Sequence, residues 1–216
     1  MNILFFGDSN TWGANPNGGR LSRDLRFTGR IQMLLQHDTV IENGVCGRTT
    51  VFEDPCVPHR RGIDDLFSLL MAHQPLDLVA VMLGTNDVKD YFNASPRLIQ
   101  RGLEAVVRVV LNHPYEIGFP IPQLLLISPP PIGNLLENCP YIGYSVESVR
   151  KSLELPTLYA ELAEKYHTLF LDAGRFIQTG QDQIHLSSES HETLANALCT
   201  IIEKFKKGCD KSDNRQ

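Results

Sequence analysis

The sequence predicts a three-layer α/β/α domain on a five-stranded parallel sheet, with the flavodoxin-like strand order 2-1-3-4-5. Three observations carry that expectation. Short, almost wholly apolar runs recur along the chain, each is closed by Gly, Asp, Asn or Ser, and amphipathic stretches of helical spacing lie between them. Strands that are apolar throughout, not alternating, are those covered by helices on both faces. Strands alternating with helices build βαβ units, whose right-handed crossovers restrict the topology. The order 2-1-3-4-5 puts a switch point beside the first strand, under the Gly7-Asp8-Ser9 turn that ends it.

Each element follows from its residues. Ile3–Phe6, ended by Gly7-Asp8, is the first strand, and Thr39–Ile41, ended by Asn43-Gly44, the second. Between them Arg30–Gln36 forms a short helix. Ile63, Leu66, Phe67, Leu70 and Met71 sit at i, i+3, i+4, i+7 and i+8, one apolar stripe of a helix. Leu76–Leu83, ended by Gly84-Thr85-Asn86-Asp87, is the third strand. Ser95 then Pro96 supplies a cap and a first-turn residue for a helix with Ile99, Leu103, Val106, Val107 and Val110 inward. Leu124–Ile127 is the fourth strand, before Ser128 and three prolines. Residues 146–167 are helical but contain Pro156, which predicts a kink or break. Leu169–Leu171, before Asp172-Ala173-Gly174, is the fifth strand, and a last helix starts near Ser187. Two longer segments, 113–122 and 129–145, flank the fourth strand and read as shaping a pocket or an interface.

The chain has 216 residues, enough for one domain over 1–208 and a polar, frayed tail over 209–216. Its 42% hydrophobic and 21% charged residues exclude disordered, collagenous and coiled-coil classes. Twenty Lys+Arg against 25 Asp+Glu give a net charge of −5 without a basic stripe, so no nucleic-acid partner is expected. The basic cluster at 204–207 ends a helix, where it favours solubility and the helix dipole. Five irregularly spaced cysteines fit a reducing compartment better than a disulfide framework. No CxxC or HxxxH spacing calls for a metal, and no cofactor is implied. No apolar run approaches the ~20 residues that span a bilayer, and the N-terminus lacks a charged n-region. The expectation is a soluble cytoplasmic protein with no membrane partner.

In an open α/β sheet the chemistry lies beyond the carboxyl ends of the strands. That rim collects Ser9 after the first strand, Gly47 after the second, Asn86 after the third, and Asp182 with His185 after the fifth. These are the parts of an acyl-transfer site. A serine hydroxyl needs a base to take its proton. His185 can be that base, and Asp182, three residues earlier, can fix its tautomer and stabilise its cation. The backbone N–H groups of Ser9 and Gly47 and the Asn86 side-chain amide can bind the oxyanion. Competing assignments are weaker. Cys46 has no histidine in a shared motif, His191 falls one turn into the last helix, Asp87 reads as structural, and Asp64-Asp65 is a helix face. Trp12 reads as a wall of the acyl pocket or as core, and Arg48 as the pocket rim or an interface salt bridge.

With these residues the chain resembles the SGNH hydrolases, also called GDSL-type esterases and lipases. The four blocks read Gly7-Asp8-Ser9, the Gly47 turn, Gly84-Thr85-Asn86-Asp87 and Asp182-x-x-His185, in family order across essentially the whole chain. It is most similar to the arylesterase/acyltransferase branch, through Gly7–Gly13, Arg48–Thr50, Pro75–Val79, Leu83–Asp87, Ser128–Pro131 and Asp172–Gly174. One position departs: the residue after the serine, usually Leu, is Asn10, which changes local packing or substrate contact. The resemblance implies a serine esterase with Ser9, His185 and Asp182 catalytic, Ser9, Gly47 and Asn86 as the oxyanion hole, and Trp12, Asn10 and Arg48 on the substrate side. With no segment long enough for a large lid, short acyl chains are expected, as are acyl transfer to alcohols along an apolar channel past Trp12 and a homo-oligomeric assembly. Carbohydrate O-deacetylase, thioesterase and lysophospholipase are alternatives within the family. A flavin- or nucleotide-binding module, cradling a phosphate after the first strand, leaves Asp182 and His185 unexplained.

Overall fold

The computed structural model describes residues 1–213, with side chains through 208. The five apolar runs form parallel strands β1 (Asn2–Gly7), β2 (Thr39–Gly44), β3 (Leu78–Met82), β4 (Gln123–Ser128) and β5 (Leu169–Asp172). Their order is β2-β1-β3-β4-β5. Gly7 pairs with Gly44 on one side and Met82 on the other, so three strands end level and deliver their following residues to one rim.

Among the described residues six α-helices accompany the sheet: α1 (Ser9–Trp12), α2 (Phe27–Leu34), α3 (Gly62–His73), α4 (Pro96–Asn112), α5 (Val146–Tyr166) and α6 (Ser188–Asp213). Alternation within each strand divides the core in two. Leu4, Phe6, Val79, Val81, Leu124 and Leu126 meet α3, α4 and α5 through Leu66, Leu70, Ile99, Leu103, Leu158 and Tyr159. Ile3, Phe5, Leu78, Ala80, Leu125 and Ile127 meet α2 and α6 through Phe27, Ile31, Leu194, Leu198 and Ile202. Each such side chain contributes roughly 1.5–3 kcal/mol by leaving water.

Helix starts follow their caps. The Ser95 hydroxyl accepts from Leu98 N at 3.2 Å, and Ser145 caps α5 while Ser148 Oγ accepts from Ser145 N at 3.2 Å. Pro156 does not interrupt α5. Leu155, Leu158, Tyr159 and Leu162 are buried on both sides of it, and that packing outweighs a penalty of about 3 kcal/mol. In α3 the buried stripe is narrower than the spacing implied: Leu66 and Leu70 are covered, whereas Phe67 and Met71 are 48% and 41% exposed. Helix α6 continues past 208 to Asp213, and residues 214–216 of the expected tail lie outside those described.

The two long loops part company. Residues 113–122 lead into β4 at the amino end of the sheet, where Pro120 and Ile121 share a hollow with Met1 and Asp77. Residues 129–145 leave its carboxyl end and hang over the rim that carries Ser9. No helix among the described residues is long and apolar enough to cross a membrane.

Candidate active site

The chain turns sharply after β1. Asp8 caps the one-turn helix α1 by accepting from Asn10 N at 2.9 Å, which leaves Ser9 as its first residue. Gly44, at the end of β2, permits the approach of α1, since a Cβ there would lie 2.1 Å from Trp12 N. Burial pushes the Asp8 carboxyl up to about 6 even though Asn10 N donates to it.

Ser9, His185 and Asp182 are brought together from the two ends of the chain. Ser9 Oγ lies 2.9 Å from His185 Nε2, and His185 Nδ1 lies 2.7 Å from Asp182 Oδ2. The other carboxylate oxygen, Oδ1, accepts from Ile184 N at 3.0 Å and His185 N at 2.9 Å, so the turn orients its own histidine. Burial alone would raise the Asp182 carboxyl. The hydrogen bonds from the His185 ring and the two backbone N–H groups outweigh it and hold the group below the ordinary range. A serine hydroxyl, an imidazole and a carboxylate therefore stand in one hydrogen-bonded line, the arrangement that proton transfer from a serine requires.

Gly47 and Asn86 face the same cleft as Ser9. Gly47 adopts φ +82°, a left-handed conformation that glycine takes without steric cost, and this sets the direction of its N–H. Asn86 Nδ2 donates to Arg48 O at 3.1 Å, which leaves its second N–H for a ligand. The Tyr144 hydroxyl lies 3.3 Å from Asn86 Oδ1 and 3.2 Å from Thr85 O, holding the amide from its other end. Asp87 is buried and accepts from Thr50 N and Thr50 Oγ1 at 2.9 and 2.5 Å; burial pushes its carboxyl up to about 6. It fastens the loop after β2 to the loop after β3.

Three residues expected on the substrate side lie elsewhere. Arg48, expected at the pocket rim or an interface, is 2% exposed. It donates to Gly7 O and Asn43 O at 2.9 and 2.8 Å, pairs with Asp65 of α3 at 3.0 Å, and stacks over Phe6 at 4.2 Å. Its Nη1 ties the ends of β1 and β2 together, and its Nη2 ties them to α3. Asn10 is 1% exposed, and its amide grips the backbone on either side of His185: Oδ1 accepts from Leu186 N at 2.9 Å and Nδ2 donates to Ile184 O at 3.5 Å. Trp12 is half-buried under the Arg20 guanidinium, 4.8 Å from its ring, and does not line the cleft at Ser9.

Other residues escaped the sequence reading. Tyr141 packs edge-on against His185 at 5.2 Å, with its hydroxyl 3.5 Å from Asp182 Oδ2. Tyr141, Tyr144, Val57, Arg60 and Lys89 form much of the wall around Ser9. All lie in loops after β2, β3 or β4, so the carboxyl-end rule nominates them, although no periodicity does. His191 is a core residue: it accepts from Phe27 N at 3.2 Å, and burial pushes it down to about 4. Cys46 lies on the cleft wall with its thiol pushed up, chiefly by desolvation. The cleft at Ser9 is small, ≈ 270 Å³. A larger hollow of ≈ 610 Å³ beside Arg175 and the start of α6 contains none of these groups. Among the described residues no cluster of His, Cys, Asp or Glu is arranged to hold a metal ion.

Comparison with known proteins places the chain in a family. The model of the GDSL-like lipase/acylhydrolase family matches residues 5–193. An aryl esterase from M. smegmatis is 37% identical, covers 94% of this chain and 99% of its own, and superposes with a TM-score of 0.87. A carbohydrate acetylesterase from Sinorhizobium meliloti is 35% identical over 95% of this chain and 99% of its own, with a TM-score of 0.88. At 17% identity, covering 94% of this chain and 96% of its own, a lipase/acylhydrolase from Enterococcus faecalis shares the fold, with a TM-score of 0.68. A search of the curated proteins gives no match. The five-stranded sheet, the Ser9 turn and the family match over most of the chain lead to one conclusion: this chain belongs to the GDSL-like lipase/acylhydrolase family and is a carboxylic ester hydrolase of the SGNH type.

Proposed function

We propose that the chain hydrolyses short-chain acyl esters through a covalent acyl-enzyme on Ser9. The observation that carries this proposal is the line of hydrogen bonds from Ser9 Oγ through His185 to Asp182, at 2.9 and 2.7 Å. His185 Nε2 takes the Ser9 proton as Oγ attacks the ester carbonyl. Asp182 Oδ2 holds Nδ1–H and stabilises the imidazolium. The tetrahedral oxyanion is met by the N–H groups of Ser9 and Gly47 and by Asn86 Nδ2. His185 then gives its proton to the leaving oxygen. In the second half it activates water in the same way, which releases the acid and restores Ser9.

The cleft of ≈ 270 Å³ supports small acyl groups, as do relatives described as an aryl esterase and a carbohydrate acetylesterase. The second of these favours acetylated sugars as an additional substrate class. Acyl transfer to small alcohols is part of the same proposal. The apolar wall it needs is formed by Val57, Tyr141, Tyr144 and Ile184, in place of Trp12, and each methylene an alcohol buries there adds ~0.8 kcal/mol over water. A reduced, cytoplasmic setting is supported by Cys46, Cys56, Cys139 and Cys199, which are all free.

The test is a panel of p-nitrophenyl esters from acetate to decanoate, with acetylated sugars, run against Ser9→Ala. Acetate and butyrate should be cleaved fastest, and Ser9→Ala should lose on the order of 10⁴–10⁶ in kcat. A preference for decanoate overturns the short-chain assignment, and activity retained by Ser9→Ala overturns the mechanism. With vinyl acetate as donor, butanol should give a higher ester-to-acid ratio than methanol. A ratio near zero for every alcohol removes the transfer claim.

A further inference from the structure

The cleft carries a cation that ester hydrolysis does not use. Arg60 lies on its wall, and its side chain passes directly over Gly47, where a Cβ would stand 3.5 Å from Arg60 Cδ and Nε. The loop holds it in place: Arg60 O accepts from Thr49 N at 2.9 Å, and Nη1 donates to the carbonyls of Pro58 and His59, each at 3.1 Å. Its Nε is buried with no acceptor, and its Nη2 donates to no described atom. No described carboxylate pairs with it.

The neighbouring charges leave it uncompensated. Asp54 also lies on the wall but is already engaged by Lys89 Nζ at 3.4 Å, Tyr91 Oη at 2.8 Å and Cys56 N at 2.9 Å. The Glu53 carboxylate accepts from His59 N at 3.3 Å. At Cys46, on the same wall, Arg60 and then Arg20, whose Nε is bonded to Trp12 O, act against the negative charge of Asp8. The chain as a whole carries −5, so Arg60 is a cation without a carboxylate partner on an acidic molecule. At physiological salt a charge is felt over roughly 8–10 Å, so the local guanidinium decides what the cleft attracts.

We propose that Arg60 recognises an anionic group on the substrate, so that the preferred esters bear a carboxylate or phosphate within a few bonds of the scissile carbonyl. A guanidinium forms directional, charge-assisted bonds with both. Its position over Gly47 places that anion beside the proposed oxyanion hole. This inference rests on the serine-esterase proposal above, and its test separates the two.

Two matched pairs of esters locate the anion. In 4-acetoxybenzoate against 4-acetoxybenzamide the charge is on the leaving group. In p-nitrophenyl hydrogen succinate against p-nitrophenyl butyrate it is on the acyl group. Arg60→Gln should lower kcat/KM for the charged member of one pair by about tenfold or more, mainly through KM, and change the neutral member by less than about twofold. Arg60→Lys should keep part of the preference, and the effect should shrink between about 20 mM and 0.5 M salt. Equal losses on charged and neutral esters, or no loss on either, overturn the proposal; the first result makes Arg60 a support for the Gly47 turn only. Calorimetry on Ser9→Ala adds a readout that needs no turnover. It should bind 4-acetoxybenzoate, and Ser9→Ala with Arg60→Gln should not. If wild type and Ser9→Ala are equally inactive but this binding difference holds, the anion site stands and the esterase mechanism fails. If turnover depends on Ser9 but binding ignores Arg60, the reverse is true.

Discussion

Asn10 Oδ1 accepts a hydrogen bond from Leu186 N at 2.9 Å, so the residue beside Ser9 holds the residue beside His185 across 176 positions of sequence. Its Nδ2 reaches Ile184 O on the other side of the histidine. The loop that carries His185 is thereby fixed to the turn that carries Ser9. A leucine at this position fills the space but leaves the Leu186 N–H buried without an acceptor.

Asn10→Leu should therefore destabilise the fold by about 1–3 kcal/mol, the cost of an unsatisfied buried donor. It should also lower kcat by on the order of 10–10² with a smaller change in KM, because the Ser9–His185 distance loosens. Denaturant unfolding and steady-state kinetics on one preparation check both. Unchanged kcat with reduced stability would make Asn10 a packing residue alone.

Asn86 and Tyr144 form a second pair whose effects differ in size. Asn86→Ala removes the donor itself and should cost roughly 10²–10³ in kcat at nearly constant KM. Tyr144→Phe removes only the group that holds the Asn86 amide at 3.3 Å, so its loss should be smaller and in the same parameter. In the double variant the two losses should not add. Additive losses would show that Tyr144 acts on the substrate independently of Asn86.

His191 makes the fold acid-sensitive. Burial pushes its folded-state value down to about 4 from the ordinary 6.5. The unfolded chain thus binds the proton first, and stability present above pH 6.5 is lost as pH falls towards 4. Asp8 and Asp87, both pushed up to about 6, act in the opposite sense over part of that range. Subtracting the stability of His191→Gln isolates the histidine. The difference should decline by about 3 kcal/mol between those limits, and a flat difference would refute the assignment.

Much of the sheet was legible because a strand covered on both faces is apolar along its buried length, as β3 is throughout and β4 is from Leu124 to Ile127. The Ser9, Gly47, Asn86 and His185 blocks were legible because each follows a strand. What escaped depended on partners distant in sequence. Arg48 looks like a rim residue until Gly7 O, Asn43 O and Asp65 are seen to hold its guanidinium inside the fold. Trp12 lies three residues after Ser9 in sequence, yet it packs under Arg20. Helix α1 is a single turn, too short to show a period. Tyr141 and Tyr144 sit in a loop whose course no local pattern encodes, and Pro156 stays helical because burial around it dominates.

The central claim is that Ser9 is the nucleophile, and active-site labelling tests it most directly. Wild-type protein incubated with a serine-directed fluorophosphonate should take up about one equivalent, lose esterase activity in proportion, and yield an adduct on Ser9 by peptide mass spectrometry. His185→Ala should label far more slowly, because Ser9 Oγ has lost the base 2.9 Å away. Stoichiometric labelling and inactivation with the adduct on any other residue would contradict the mechanism.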